Sequence, residues 1–216
     1  MTLTDAHFHR NIYDTFLSVD GQEFVFHGFH PWQVDDLGER LDLSSVRTAL
    51  VREESAGVGE IGLDRLHNRT ISDAQRAAFT AQLELAATFG RPVVLHGAKC
   101  WGEVVKACQP YAERIPAFLF HGFSRSAGLL PDIFALNGFV GVGTAVLNDH
   151  AVNYRDLVKA LPPDRLLIET DADLAAADAP DVAAIYAQVA NLRGTTVDAL
   201  ADEMTANARR FVEALT

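Results

Sequence analysis

Apolar positions along this chain fall into two alternating rhythms. Short runs of β-branched and aromatic residues occur in "TLTDAH", "EFVFHGF", "VGEIG", "PVVLH", "AFLFH", "GFVGVG" and "RLLIET". Most are separated by stretches whose apolar residues recur every three or four positions. The first rhythm predicts seven β-strands, the second the helices between them. The clearest helix runs from Ser72 to about Phe89, opened by the capping-box pair Ser72 and Gln75 and closed by Gly90, with Pro92 just beyond. Others are expected over about 44–55, 101–109, 126–136, 150–160 and 180–192, with one or two more from Val197 to Leu215. Pro110 and Pro131 are expected to break or kink theirs. Apolar strands joined by helical crossovers imply a parallel sheet covered on both faces, either doubly wound or closed into a (β/α) barrel. No glycine-rich phosphate fingerprint follows any strand, which weighs against a doubly wound nucleotide binder.

Polar residues at the strand ends choose the barrel. His7 and His9 end the first run, Glu60 lies in the third, His96 ends the fourth, His121 ends the fifth, and Asp171 follows the seventh. In a TIM-type barrel these C-terminal ends meet on one face, where active sites are built from several strands. In "TDAHFHR", Asp5, His7 and His9 occupy alternate positions, so a strand would turn all three to one side. Buried imidazoles and carboxylates are costly unless paired, and a divalent ion such as Zn, Mn or Mg accounts for six of them at once. Four histidines and two acids exceed the needs of one tetrahedral ion, so two ions bridged by a carboxylate are expected. Each residue also has a plainer reading. Glu60 and Asp171 are candidates for ion pairs with Arg65 or Arg165, and His27, His67 and His150 read as ordinary surface or core residues. His30, in "GFHPW", either lines the pocket beside Trp32 or shapes a turn; Lys99 and Arg125 either hold an anionic substrate or are surface charges.

The bulk numbers narrow the function further. A length of 216 residues with 49% hydrophobic content and no linker-like tract reads as a single domain, 1–216. A net charge of −11 argues against gathering nucleic acid through the overall field. Neither a signal peptide nor a membrane span is expected, since charges fall within the first ten residues and the longest apolar runs are short; a cytoplasmic location follows. Cys100 and Cys108 lie eight residues apart on an expected helix, a rise of about 12 Å, too far for a disulfide.

The stretches "DAHFH", "FHGFHPW", "GEIGLDR", "VVLHGAKCWGE", "HGFSRS", "IETDA" and "NARRF" together resemble the TatD family of metal-dependent hydrolases over nearly the whole chain. The resemblance implies an amidohydrolase-type (β/α) barrel, a site for one or two divalent ions, and nuclease-like phosphodiester hydrolysis, described for several members as magnesium-dependent DNase activity. It matches His7 and His9 to the HxH pair on one ion, Glu60 to the bridging glutamate, His96 and His121 to the ligands of the second ion, and Asp171 to the acid of the "ETDAP" motif. Two departures bear on substrate. The family often carries Arg two residues after the fourth-strand histidine, where this chain has Ala98 followed by Lys99. The family's loop of Pro, Arg and Asn residues after "ETDA" is replaced by "DLAAADAPDVAA". An eighth strand is not visible, so a distorted barrel with seven clear strands is expected. The implied activity is that of a TatD-like deoxyribonuclease or phosphodiesterase acting on DNA ends or small phosphodiesters, with weak duplex binding. Asp171 would handle the proton of a metal-activated water and Glu60 would fix the ion spacing. Hydrolysis of an amide, lactone or ester is the alternative, and a non-catalytic metal-binding scaffold a third.

Overall fold

All seven expected strands form, and an eighth lies between the first two. The computed structural model describes residues 2–11, 13–124, 127–173 and 180–216. In chain order the strands are β1 (Asp5–Phe8), β2 (Thr15–Val19), β3 (Gln22–His27), β4 (Gly57–Asp64), β5 (Val93–Ala98), β6 (Phe118–Phe120), β7 (Gly138–Val142) and β8 (Leu166–Ile168). They form one sheet in that same order. β1 pairs antiparallel with β2 and β2 antiparallel with β3, while every later pairing is parallel. The unexpected strand is therefore an antiparallel insertion where a helical crossover would stand. Its turn is written in the sequence: Asp20 and Gly21 both have positive φ, 55° and 76°, the backbone that an Asp-Gly hairpin turn requires.

The sheet closes between its outer strands. Asp171 N donates to His7 O (3.0 Å), His9 N donates to Ala172 O (2.7 Å), and His9 bridges Asp173 in parallel fashion. The Asp5 carboxylate reinforces the seam by accepting from the main-chain N of Thr170 (3.0 Å) and from its Oγ1 (2.7 Å).

The helices are α1 (Pro31–Leu37), α2 (Ser44–Arg52), α3 (Asp73–Phe89), α4 (Trp101–Cys108), α5 (Leu130–Ala135), α6 (Val152–Ala160), α7 (Val182–Arg193) and α8 (Val197–Val212). α1 was not legible from periodicity. Pro131 does not break its helix; it sits in the first turn of α5, where its missing N–H has no partner to lose. Pro110 lies in the 3-10 turn Gln109–Tyr111 that follows α4. Ser72 caps α3 by accepting from Gln75 N (3.0 Å), but the Gln75 side chain does not return the bond. It is buried, donating to Asp35 (2.7 Å) and accepting from Asp64 N (2.9 Å). Gly90, at φ 62°, ends α3 as expected.

Two apolar layers result. One fills the space between sheet and helices, and the other fills the barrel interior with Leu17, Phe24, Phe26, Val94, Leu119, Phe139 and Leu167, closed from below by Phe211 and Val212 of α8. The pleat then sets the site. Val94, Leu119 and Leu167 point inward, so the residues two places later, His96, His121 and Glu169, stand above them on the same face.

Candidate metal centre

The polar residues at the barrel mouth arrive on five different strands. His7 and His9 leave β1, Glu60 comes from β4, His96 from β5, His121 follows β6, and Asp171 follows β8. Glu60, buried at 6% exposure, is the hub. Its Oε2 faces His7 Nε2 at 3.4 Å and His9 Nε2 at 3.9 Å. Its Oε1 faces His121 Nε2 at 2.6 Å, His96 Nδ1 at 2.7 Å and His30 Nε2 at 3.8 Å. Asp171, half exposed at the rim, completes the first side at 3.5 Å from His7 Nε2 and 3.3 Å from His9 Nε2. These six expected residues are thus brought together, with His30 as a seventh.

Asp5 is not among them, because its carboxylate is spent on Thr170. The alternative ion pairs do not form either: Arg65 pairs with Glu103, and Arg165 with Asp164 and Asn137. His27 contacts Glu53, and His67 stacks on Trp32 with ring centroids 4.7 Å apart. Arg125 and the altered loop at 174–179 lie outside the described residues.

The donor set fits a divalent ion. His7 is fully buried, yet neither of its ring nitrogens has a hydrogen-bond partner. A buried polar group left in that state costs about 1–3 kcal/mol. Ligand atoms sharing a tetrahedral ion at about 2.0–2.2 Å lie about 3.3–3.6 Å from one another. Three of the four imidazole–carboxylate separations among His7, His9, Glu60 and Asp171 fall in that range, at 3.3, 3.4 and 3.5 Å, and His9–Glu60 is longer at 3.9 Å. Imidazole and carboxylate together suit Zn, Mn and similar ions.

Electrostatics reflect this crowding. Burial works against charge on Glu60, but His121, His7 and His96 outweigh it and hold the carboxyl well below its ordinary range. Asp171 is likewise lowered, mainly by His7 and His9 against the opposing effect of burial. Burial and the neighbouring His121 disfavour charge on His7, yet the Asp171 and Glu60 carboxylates lift it to about 9. His30, desolvated and beside His96 and His121, falls to about 4.

Two outer residues escaped the sequence reading. Asp64, buried at the end of β4, accepts from His96 Nε2 (3.0 Å), Trp32 Nε1 (2.7 Å), Leu66 N (2.6 Å) and His67 N (2.8 Å). Glu169, fully buried, accepts from Gly122 N (2.6 Å) and lies 3.8 Å from His121 Nδ1. The only advance signal was their place at strand ends, in "GLDR" and "IETDA". Gly62 makes the Asp64 arrangement possible. At φ 155° it lets β4 approach β5 so closely that a Cβ there would lie 2.0 Å from the His96 carbonyl oxygen.

The centre opens into a pocket of about 350 Å³ walled by His30, Trp32 and Asp173. An adjoining hollow of about 310 Å³ shares His96, His121 and Asp171 and reaches Leu66, Lys99 and Ser124. Lys99 holds a left-handed backbone, φ 60°. Among the described residues no helix is long and apolar enough to cross a membrane, and both cysteines are free and buried.

Comparison with known proteins agrees with the barrel. An uncharacterized metal-dependent hydrolase, YabD, of Bacillus subtilis is 26% identical over 203 residues, covering 89% of this chain and 79% of the relative. A 3'-5' ssDNA/RNA exonuclease TatD of Klebsiella pneumoniae is 36% identical over 125 residues, 57% of this chain, which span about half (48%) of that enzyme's length. The crystal structure of YJJV, a TatD homolog from Escherichia coli, superposes with a TM-score of 0.72 at 26% identity, covering 86% of this chain and 75% of that one. The model of the TatD related DNase family matches residues 2–213, leaving only a few residues outside it, and the chain belongs to that family.

Proposed function

We propose that this chain, as one barrel domain over 1–216, is a divalent-metal-dependent hydrolase that cleaves phosphodiester bonds at single-stranded nucleic-acid ends or in small phosphodiesters. The observation that carries the reading is the division of Glu60: one carboxylate oxygen faces His7 and His9, the other His96 and His121. His7, His9, Glu60 and Asp171 would hold one ion, and Glu60, His96 and His121 a second. Bound there, such an ion supplies Lewis-acid polarisation of a phosphoryl oxygen and lowers the pKa of water from 15.7 toward about 7.

The chain's own groups do the rest. Glu60 fixes the distance between the two sides of the site. Asp171, kept ionised by His7 and His9 and half exposed at the rim, accepts the proton of the attacking water. Lys99, on the lip of the adjoining hollow, supplies positive charge toward the phosphate backbone; a non-glycine residue in its left-handed backbone is uncommon, and such backbone concentrates at functional sites. Arg125 is assigned the same role from sequence alone. The relatives named as exonucleases of single-stranded DNA and RNA favour a nucleic-acid end as substrate. The net charge of −11 and Ala98 favour a small footprint and weak, salt-sensitive binding to duplex. We place the enzyme in the cytoplasm, where its two thiols stay reduced.

Ala98 also supports a second reading, hydrolysis of an ester, lactone or amide, since the same ion and water attack a carbonyl. The experiment is metal analysis of the purified protein, followed by assays with bis(p-nitrophenyl) phosphate, a single-stranded oligonucleotide and p-nitrophenyl acetate under Mg²⁺, Mn²⁺ or Zn²⁺. Metal-dependent release from the first two supports the proposal. Turnover of the acetate alone replaces it with the carbonyl reading, and no turnover with bound metal leaves a scaffold.

A further inference from the structure

A neutral imidazole carries one N–H and one lone pair, and its partner outside the pocket decides which nitrogen is which. His9 Nδ1 lies 2.7 Å from the Asp14 carbonyl oxygen, which only accepts. Nδ1 therefore bears the hydrogen, and Nε2 turns its lone pair toward Glu60 and Asp171. His96 reaches the same result with its nitrogens exchanged. The Asp64 carboxylate holds the Nε2 hydrogen from outside the pocket, so Nδ1, 2.7 Å from Glu60 Oε1, is the nitrogen whose lone pair is free once an ion stands between it and Glu60. Both rings are wired as ligands.

His30 is wired the other way. It caps α1, and its Nδ1 lies 3.2 Å from Trp32 N. A backbone amide only donates, so Nδ1 is the acceptor and the hydrogen sits on Nε2. That Nε2 points into the pocket, 3.2 Å from His96 Nδ1 and 3.8 Å from Glu60 Oε1. Proximity alone would make His30 a third ligand beside Glu60 and His96, but a nitrogen bearing hydrogen has no lone pair to give an ion. Turning the ring over would sacrifice the cap, and the reciprocal bond from His30 N to Gln33 Oε1 (2.9 Å) holds the loop against that rearrangement.

We propose that His30 is not a metal ligand but a neutral hydrogen-bond donor whose Nε2–H contacts an oxygen of the bound phosphodiester. This rests on the phosphodiesterase reading of the same site. A fixed, uncharged donor aimed at an oxygen where negative charge grows stabilises the transition state more than the ground state, and removing one such donor costs about 10²–10³ in kcat.

His30→Asn tests it, because asparagine still caps a helix but is too short to reach the pocket. In the metal-free wild-type protein, ¹⁵N-histidine NMR should report the Nε2–H form for His30; the Nδ1–H form overturns the proposal. Titration of the variant with Zn²⁺ or Mn²⁺ should reproduce the wild-type stoichiometry, and loss of one ion overturns the proposal by making His30 a ligand. With bis(p-nitrophenyl) phosphate, kcat should fall by about 10²-fold, with little change in melting temperature; an unchanged kcat overturns the substrate contact and leaves only the cap. If the loaded wild type hydrolyses neither this compound nor an oligonucleotide, the phosphodiesterase reading fails and takes the phosphoryl contact with it. The tautomer and the stoichiometry would still separate that failure from a mistaken wiring of His30.

Discussion

Asp64→Asn changes one atom, yet no orientation of the new side chain satisfies its surroundings. Oδ1 of Asp64 accepts from Leu66 N and His67 N, and Oδ2 accepts from Trp32 Nε1 and His96 Nε2. All four partners are donors in the native arrangement. Asparagine keeps one oxygen and must present its NH₂ to the other pair. If the NH₂ faces the loop amides, two hydrogen bonds of the 64–67 turn are lost. If it faces His96, the Trp32 N–H loses its acceptor, and the ring must place its lone pair on Nε2 and its hydrogen on Nδ1, where it donates to Glu60 and no longer has a lone pair for an ion. Hydrogen bonds to charged groups contribute about 1.5–3 kcal/mol each, so losing two costs about 3–6 kcal/mol before the loop relaxes and takes up water. A net loss of about 3 kcal/mol corresponds to a melting temperature lower by about 6–12 °C in a chain this long. Removing an outer partner of a metal-bound histidine typically weakens the metal 10–100-fold. Thermal melting and Zn²⁺ titration against a competing chelator measure the two effects separately. A variant within about 2 °C in melting temperature and threefold in zinc affinity would refute the reasoning.

Three further outcomes are expected. Asp171→Asn at saturating metal should lower kcat by about 10²–10⁴-fold with little change in melting temperature, and a rate within threefold of wild type would remove Asp171 from proton handling. Gly62→Ala sets a methyl against the His96 carbonyl at a backbone φ of 155°, so urea denaturation should show more than about 3 kcal/mol of lost stability; a loss under about 1 kcal/mol would mean that β4 and β5 separate easily. Burial lifts the Cys100 thiol to about 11 and raises Cys108 further, so iodoacetamide should leave both nearly unmodified at pH 7.5, with Cys100 accelerating about tenfold per pH unit above that; rapid labelling of either at pH 7.5 would contradict their packing.

Much of the barrel was legible because its parallel strands are buried on both faces and read as unbroken apolar runs. The histidines stood out because a strand has period two, and a polar residue at a core-facing position breaks that pattern visibly at His96 and His121. β2 was missed although Asp20-Gly21 announces its hairpin, since "TFLSV" by itself is too short to outweigh the expectation of a helical crossover. Gln75 looked like the second half of a capping box, but its amide is worth more in the interior, where Asp64 and Asp35 would otherwise lose partners.

Sequence by itself determined all the strands but β2, most of the helices and the six residues that face one another at the barrel mouth, because strand period and strand ends are local properties that a parallel barrel converts into convergence. Tertiary structure alone decided what each of those residues can do there. The nitrogen that His96 offers to the pocket depends on Asp64, 32 positions away. Barrel closure depends on Asp5 and Thr170, 165 positions apart. His30 differs from the ligand-wired histidines only through the backbone of α1, a helix that periodicity did not reveal. A histidine in a sequence is one letter, but its chemistry is set by which nitrogen carries the hydrogen, and a hydrogen bond to a partner brought there by folding makes that choice.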